Sequence, residues 1–240
     1  MRPDVVQLRE FYATGLGQMA RRYVGRLVRE AWPDCKGLAV LGLGFAVPFL
    51  RPLLDEAQRV IAVMPAAQGV LRWPPPTEQP SHVCLADETD LPLPDESMDR
   101  VLVVHSLENS DDVRPMLREC WRVMPSTGRL LLVVPNRLGI WARLERTPFG
   151  HGRPYTPPQL VSLLKENLFT PLSVRSCLFT PPLRWKVMLR SAPAFEKLGQ
   201  RGFGVGGVLV AEASKQIYAA VRPMALARRR ALTARSTDGR

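Results

Sequence analysis

The stretch of sequence that decides the fold is LADETDLPLPDESMDRVLVVHSLEN at residues 85–109, followed by LRECWRVMPSTGRLLLVVPN at residues 117–136. Two runs within it, 100–105 and 129–135, are almost uniformly apolar, which predicts strands buried on both faces. Between them, apolar residues recur at helical spacing over 111–124, which predicts an amphipathic helix. The order strand, helix, strand is typical of a parallel sheet.

The same alternation extends toward the N-terminus. Residues 38–44, 59–64 and 81–85 are short apolar runs that predict three further strands, and a helix is expected over 49–58. Residues 5–31 keep a helical period, with a break near the glycines at 15 and 17 that could split this helix in two. The sequence Trp-Pro-Asp ends the helix, because the residue before a proline disfavours helical geometry.

Toward the C-terminus the pattern is less regular. A helix is expected over 156–167, with Thr156 as its cap and a proline at its first position. Residues 172–179 and 208–212 predict two more strands, and the prolines and glycines of 180–207 predict an irregular excursion. Together these elements predict an α/β fold with a doubly wound, mostly parallel seven-stranded sheet of the Rossmann-like type. Its helices cover both faces, and its ligand crevice lies at the carboxyl ends of the strands.

The quoted stretch resembles the class I S-adenosyl-L-methionine (SAM)-dependent methyltransferases, in the subgroup called type 11. In that family an acid follows the third strand, a loop with two prolines comes next, and an aspartate opens the fourth strand. Asp87, the segment 91–94 and Asp99 stand at those places, and residues 122–128 match the turn before the fifth strand. The resemblance implies that SAM is the cofactor and that Asp87 accepts a hydrogen bond from its adenine amino group. A turn cap is the alternative role for Asp87.

The first glycine motif departs from the family pattern. The family has an acid where Gly42 stands, and it has glycines in place of Ala46 and Pro48, whereas Gly44 keeps the first family glycine. The acid that ends the second strand in the family is replaced by Met64. A hydrogen bond to a charged group contributes about 1.5–3 kcal/mol, so two losses would weaken SAM binding by roughly two to four powers of ten. By resemblance, the cofactor-binding positions are Gly42, Leu43, Gly44, Phe45, Met64, Asp87, Glu88 and His105.

Catalysis of methyl transfer needs positioning and, where the acceptor carries a proton, a base. Glu108 follows the fourth strand, and His151 and Tyr155 lie in the turn-rich segment TPFGHGRPYTPPQL at 147–160. Loops that carry several hydrogen-bonding side chains are favoured sites of function, so these three residues are the catalytic candidates. The alternatives are a polar helix start for Glu108 and a structural loop with a packed tyrosine.

The altered loop leaves two functions open. The first is a SAM-dependent methyltransferase that acts on a small molecule or on RNA. The second is a non-catalytic relative that has lost SAM and serves as a binding module or partner subunit. A dehydrogenase is disfavoured, because a nicotinamide-binding glycine pattern would need glycine at Val47 and an acid after the second strand.

Composition and charge bear on partners and location. The chain of 240 residues has a formal net charge of +11, and three consecutive arginines lie at 228–230. Such charge favours an anionic partner such as RNA or a membrane surface, with a solvated tail as the alternative. The four cysteines have no metal-ligand spacing, and we expect no metal. We expect a cytoplasmic protein in three parts: a helical segment at 1–36, a methyltransferase-like domain at 37–221 and a basic, disordered tail at 222–240.

Overall fold

The computed structural model describes residues 2–74, 80–183 and 186–217. The basic tail at 222–240 and residues 75–79 of the proline-rich loop lie outside the described residues, so the expectations for them stay predictions. Within the described residues, no helix is both long enough and apolar enough to cross a membrane.

A seven-stranded sheet forms the centre of the fold, with strand order β3-β2-β1-β4-β5-β7-β6. The first five strands pair in parallel, and β7 runs antiparallel to both of its neighbours. This confirms the predicted mostly parallel, seven-stranded sheet. The strands are β1 Ala39–Gly44, β2 Arg59–Pro65, β3 Val83–Ala86, β4 Arg100–Val104, β5 Arg129–Pro135, β6 Phe169–Cys177 and β7 Val208–Lys215.

Helices cover both faces of the sheet, as the sequence predicts. One core packs against α1 and α2 and receives alternate strand residues such as Val40 and Leu102. The second core packs against α4 and α5 and receives the intervening residues, such as Leu41 and Val101. The helices are α1 Val5–Ala13, α2 Gly15–Ala31, α3 Val47–Leu50, α4 Val113–Val123, α5 Pro157–Glu166 and α6 Lys186–Gln200.

The N-terminal segment breaks into two helices at the predicted place. Thr14 ends α1 and caps α2, since its side chain accepts a hydrogen bond of 3.1 Å from the backbone of Gly17. A side chain at Gly17 would collide with the carbonyl group of Phe11, so the two helices meet closely at this glycine. The corner directs α1 away from α2 and toward the carboxyl ends of the strands.

Two of the predicted elements are wrong. The helix expected over 49–58 is shortened to α3 at Val47–Leu50 and one turn of 3₁₀-helix at Arg51–Leu53. Pro52 has no backbone N–H with which to continue the helical ladder. The excursion expected over 180–207 instead contains α6, although Pro193 lies inside that helix. Tertiary contacts stabilise α6, since Glu196 accepts a hydrogen bond of 2.7 Å from the backbone of Phe179.

Candidate functional site

The candidate site lies where the connections of the sheet change direction. The chain leaves β1 toward β2 and β3 on one side, whereas β4 and β5 lie on the other side. In open α/β sheets the ligand crevice opens at this switch point, outside the carboxyl ends of the two central strands. Here those ends are Gly44 of β1 and Val104 of β4, which are paired in the sheet.

Gly44 brings the turn after β1 very close to β4. Its φ angle is +80°, and a side chain there would collide with the carbonyl oxygen of Val104 and with Ser106. The next residue, Phe45, donates a backbone hydrogen bond of 2.9 Å to the same carbonyl oxygen. The retained family glycine therefore serves a close strand-to-strand approach, which only glycine tolerates at this angle.

Gly42, which replaces the family acid, makes room for α3. A Cβ atom at this position would lie 2.8 Å from the Cβ of Ala46 and 2.5 Å from Cδ1 of Leu50. Leu50 is fully buried. The lost acid is thus replaced by packing between β1 and α3, and the neighbouring Leu43 is buried in the core on the opposite face of the sheet.

Tyr12 of α1 fills the crevice above this turn. Its ring stacks on Phe45, with ring centroids 5.8 Å apart and an interplanar angle of 20°. It meets Phe49 edge-on at a centroid distance of 5.8 Å. Its hydroxyl hydrogen-bonds Nε2 of His105 at 2.9 Å. Burial, and then the charge of Glu108, raise the pKa of Tyr12 well above its usual value, so the phenol stays protonated.

His105 links this phenol to a buried carboxylate. Its Nδ1 atom lies 3.2 Å from Oε1 of Glu108, and neither side chain is exposed to solvent. When Nδ1–H donates to Glu108, Nε2 accepts the hydrogen bond from Tyr12. A carboxylate that orients an imidazole in this way favours a general base whose accepting atom is Nε2. The structure therefore brings together two residues that the sequence singled out separately.

Several polar atoms around this base have no partner. Oε2 of Glu108, Oδ1 of Asn109, Oγ of Ser110 and Oγ1 of Thr147 are buried and make no hydrogen bond within the described part of the chain. An unpaired buried polar atom costs about 1–3 kcal/mol. Such atoms concentrate where a fold is built for more than packing.

The remainder of the crevice is closed by the loop after β2. Gln68 is buried, and its side-chain amide donates to the carbonyl oxygen of His105. The gap between Arg2, Pro65, Gln68, Glu88 and Asn109 has a cavity volume of ≈ 0 Å³. Ligand pockets usually have volumes of about 300–1,000 Å³. With α1 in this position, the residues do not fit SAM.

The two acid-related positions of the crevice also differ from the family pattern in their surroundings. Met64 is only 1% exposed and brings no oxygen to the end of β2. Asp87 is exposed on the rim, where its Oδ1 accepts hydrogen bonds from the backbone and the hydroxyl of Thr89. These bonds lower the pKa of Asp87. Asp87 thus makes the turn contacts of a cap, and its position beside the crevice leaves the adenine role a prediction.

The predicted catalytic loop is divided between two clefts. His151 lines a groove of ≈ 530 Å³ between the start of α1 and residues 145–148. Tyr155 lines a separate open cleft of ≈ 490 Å³ with Arg137 and Arg153. The backbone N–H of Arg153 donates a hydrogen bond of 2.7 Å to the carbonyl oxygen of Glu108. The loop therefore contacts the candidate base through Glu108, while the side chains of His151 and Tyr155 face different clefts.

Sequence reasoning missed three residues of this site: Tyr12, Gln68 and Phe149. The ring of Phe149 lies 4.7 Å from that of His105, between centroids. The helical pattern placed Phe11 on the apolar face of α1 and gave no signal for its neighbour. In the described segments, no group of three or more His, Cys, Asp or Glu side chains is arranged to hold a metal ion.

Comparison with known proteins agrees with this architecture. The family described as "Methyltransferase domain" matches residues 41–132. The fold is that of the class I methyltransferases, and residues 41–132 belong to that family. The match runs from β1 to β5, the strands whose carboxyl ends border the crevice.

Individual relatives cover only part of their length. A "Probable S-adenosylmethionine-dependent methyltransferase" of Mycobacterium tuberculosis is 33% identical over 105 residues, which are 43% of this chain and 38% of that protein. A "Demethylmenaquinone methyltransferase" of Deinococcus radiodurans is 29% identical over 130 residues, which are 52% of each chain. The chain thus spans about two fifths to one half of these curated relatives.

A solved structure matches over most of the chain. A SAM-dependent methyltransferase from Thermotoga maritima, described as a "possible histamine N-methyltransferase", superposes with a TM-score of 0.63 at 20% identity. The superposition covers 88% of this chain and 96% of that chain. At this identity the likeness shows the fold alone, and it confirms the predicted Rossmann-like sheet.

Proposed function

We propose that the chain is a SAM-dependent methyltransferase that acts on a small-molecule acceptor. The observation that carries the proposal is the family match over residues 41–132, which contain the strand ends at the switch point. Both curated relatives are named as methyltransferases, which supports the same reaction class. SAM supplies an activated methyl group when it is bound, and the protein contributes positioning and proton transfer.

His105 and Glu108 are the residues of this chain best placed to take up a proton. The Nε2 atom of His105 already holds a hydroxyl group at 2.9 Å in a site from which water is excluded. A hydroxyl of an acceptor at the same place would donate to the same atom, and the Glu108 carboxylate would stabilise the resulting imidazolium. His151 keeps a proposed role in holding the acceptor, because it lines the groove beside the crevice.

A small molecule is favoured over a macromolecule by the shape of this groove. Its volume of ≈ 530 Å³ falls within the usual range of about 300–1,000 Å³ for small-molecule pockets. Its lining is polar and carries both signs of charge, with Arg2, Glu10, Glu145 and Arg146. RNA binding through the basic tail, a protein partner and a cytoplasmic location remain predictions.

A non-catalytic binding subunit is the second candidate, and one observation favours it. Aromatic side chains fill the crevice, and the gap beside them has a cavity volume of ≈ 0 Å³. In that case the buried cluster would stabilise the fold, and the surface would carry the function.

Calorimetry with SAM and with S-adenosylhomocysteine separates the two candidates. Measurable binding, weakened by Asp87→Ala and left unchanged by Asp90→Ala, is expected for the enzyme. Asp90 is the matched control, because it is an exposed carboxylate of the same turn. Absence of heat at millimolar ligand, in a sample with an intact unfolding transition, would refute the enzyme and leave the binding subunit.

A further inference from the structure

Helix α1 lies across the mouth of the crevice and contacts the ends of three strands. At its start, the backbone N–H of Val5 donates a hydrogen bond of 2.8 Å to Gln68, in the loop after β2. At its end, Tyr12 stacks on Phe45 after β1 and hydrogen-bonds His105 after β4. The helix therefore covers the switch point from one side to the other.

The contacts beneath α1 are made by side chains that point into the crevice. Leu8, Phe11 and Tyr12 are buried, and Phe11 packs edge-on against Phe149 at a centroid distance of 6.2 Å. The hydroxyl of Tyr12 is satisfied by His105 in a fully buried position. The ring and the hydroxyl of Tyr12 thus take the space and one hydrogen-bonding group that a bound ligand would use.

The helix itself is short and ends at the surface. It has 9 residues, and its first turn is held by a capping box between the exposed residues Asp4 and Gln7. Arg2, just before it, makes an ion pair with the exposed carboxylate of Asp111. Helices of fewer than about 12 residues are marginal by themselves, so α1 is ordered mainly by what it covers. Its release from the crevice would break few bonds outside the aromatic cluster.

We propose that α1 is a plug: with Tyr12 docked on Phe45 and His105 the cofactor crevice is closed, and SAM binds only when α1 moves away. This inference rests on the proposed function. It accounts for a family fold whose crevice has no room for the cofactor, and for the unpaired atoms of Glu108 and Asn109 beneath the plug.

The affinity for SAM then depends on how often the plug is open. When only the open form binds, the measured dissociation constant equals the intrinsic value divided by the open fraction. Any change that weakens the docked helix therefore tightens binding by the same factor. Loss of a helix cap changes stability by about 1 kcal/mol, which corresponds to roughly fivefold in affinity.

Two pairs of variants test the plug by calorimetry with S-adenosylhomocysteine. Asp4→Ala removes the capping box of α1, and Thr156→Ala removes the equivalent box of α5, outside the crevice. Tyr12→Phe removes the hydroxyl bound to His105, and Tyr23→Phe removes a hydroxyl from α2. We expect Asp4→Ala to tighten binding about fivefold and Tyr12→Phe about tenfold, with both controls within twofold of the parent chain.

Hydrogen exchange of the backbone amides at 5–13 provides the second measurement. Saturating S-adenosylhomocysteine should speed exchange in this segment, because binding selects the open form. Binding that tightens in neither Asp4→Ala nor Tyr12→Phe, while exchange at 5–13 shows the helix loosened, would overturn the plug and leave the proposed enzyme intact. Absence of binding by every variant, with the helix shown to be loosened, would overturn both.

Discussion

Replacement of Gly42 by the family aspartate is expected to damage the fold without restoring cofactor binding. The Cβ atom alone would lie 2.5 Å from Cδ1 of Leu50 and 2.8 Å from Cβ of Ala46. Overpacking of this kind costs about 1–3 kcal/mol, so Gly42→Ala should destabilise the protein by that amount. In Gly42→Asp, a carboxylate buried against apolar groups adds several kcal/mol, for a total of about 5 kcal/mol.

Urea unfolding followed by circular dichroism measures these differences. Gly25→Ala is the control, because its Cβ atom would meet Cδ1 of Phe49 at an ordinary 3.8 Å and lies within helix α2. We expect that variant to gain about 0.5–1 kcal/mol from reduced freedom of the unfolded chain.

A double variant identifies the neighbour that causes the clash. Leu50→Ala alone should cost about 2–5 kcal/mol by leaving a cavity. Gly42→Ala with Leu50→Ala should cost about 1–2 kcal/mol less than the sum of the two, because the added methyl group enters that cavity. A neutral Gly42→Ala, or strictly additive costs, would show that packing against α3 does not explain this glycine.

Two further predictions concern stability. Gly44→Ala should cost more than about 3 kcal/mol in urea unfolding, because the φ angle of +80° is strained for alanine and its methyl group would collide with the carbonyl of Val104; a loss below 1 kcal/mol would contradict the close approach. Hydrogen bonds from Arg122 lower the pKa of Glu119, so their contribution is present above the ordinary carboxyl pKa and is lost as pH falls through the lowered value. Glu119→Gln should therefore be less stable near neutral pH and lose less stability on acidification than the parent chain, and equal pH slopes for both would refute this.

Much of the fold could be predicted from the sequence because the relevant signals are local. Uniform apolar runs gave β4 and β5, and the cap at Thr156 gave α5. The errors fell where proline and tertiary contacts compete. Pro52 helped to shorten the helix after β1, whereas Pro193 did not prevent α6. A proline signal alone does not show whether surrounding contacts outweigh the lost hydrogen bond.

The sequence by itself determined that the polar anchors at Gly42 and Met64 are replaced, because each is read at one position against a family pattern. It could not determine what fills their place. Tyr12 and His105 are 93 residues apart in the chain, and their hydrogen bond exists only because α1 turns at Thr14 onto the ends of the strands. The closed crevice is thus a property of the tertiary structure, since only folding brings these distant side chains into contact.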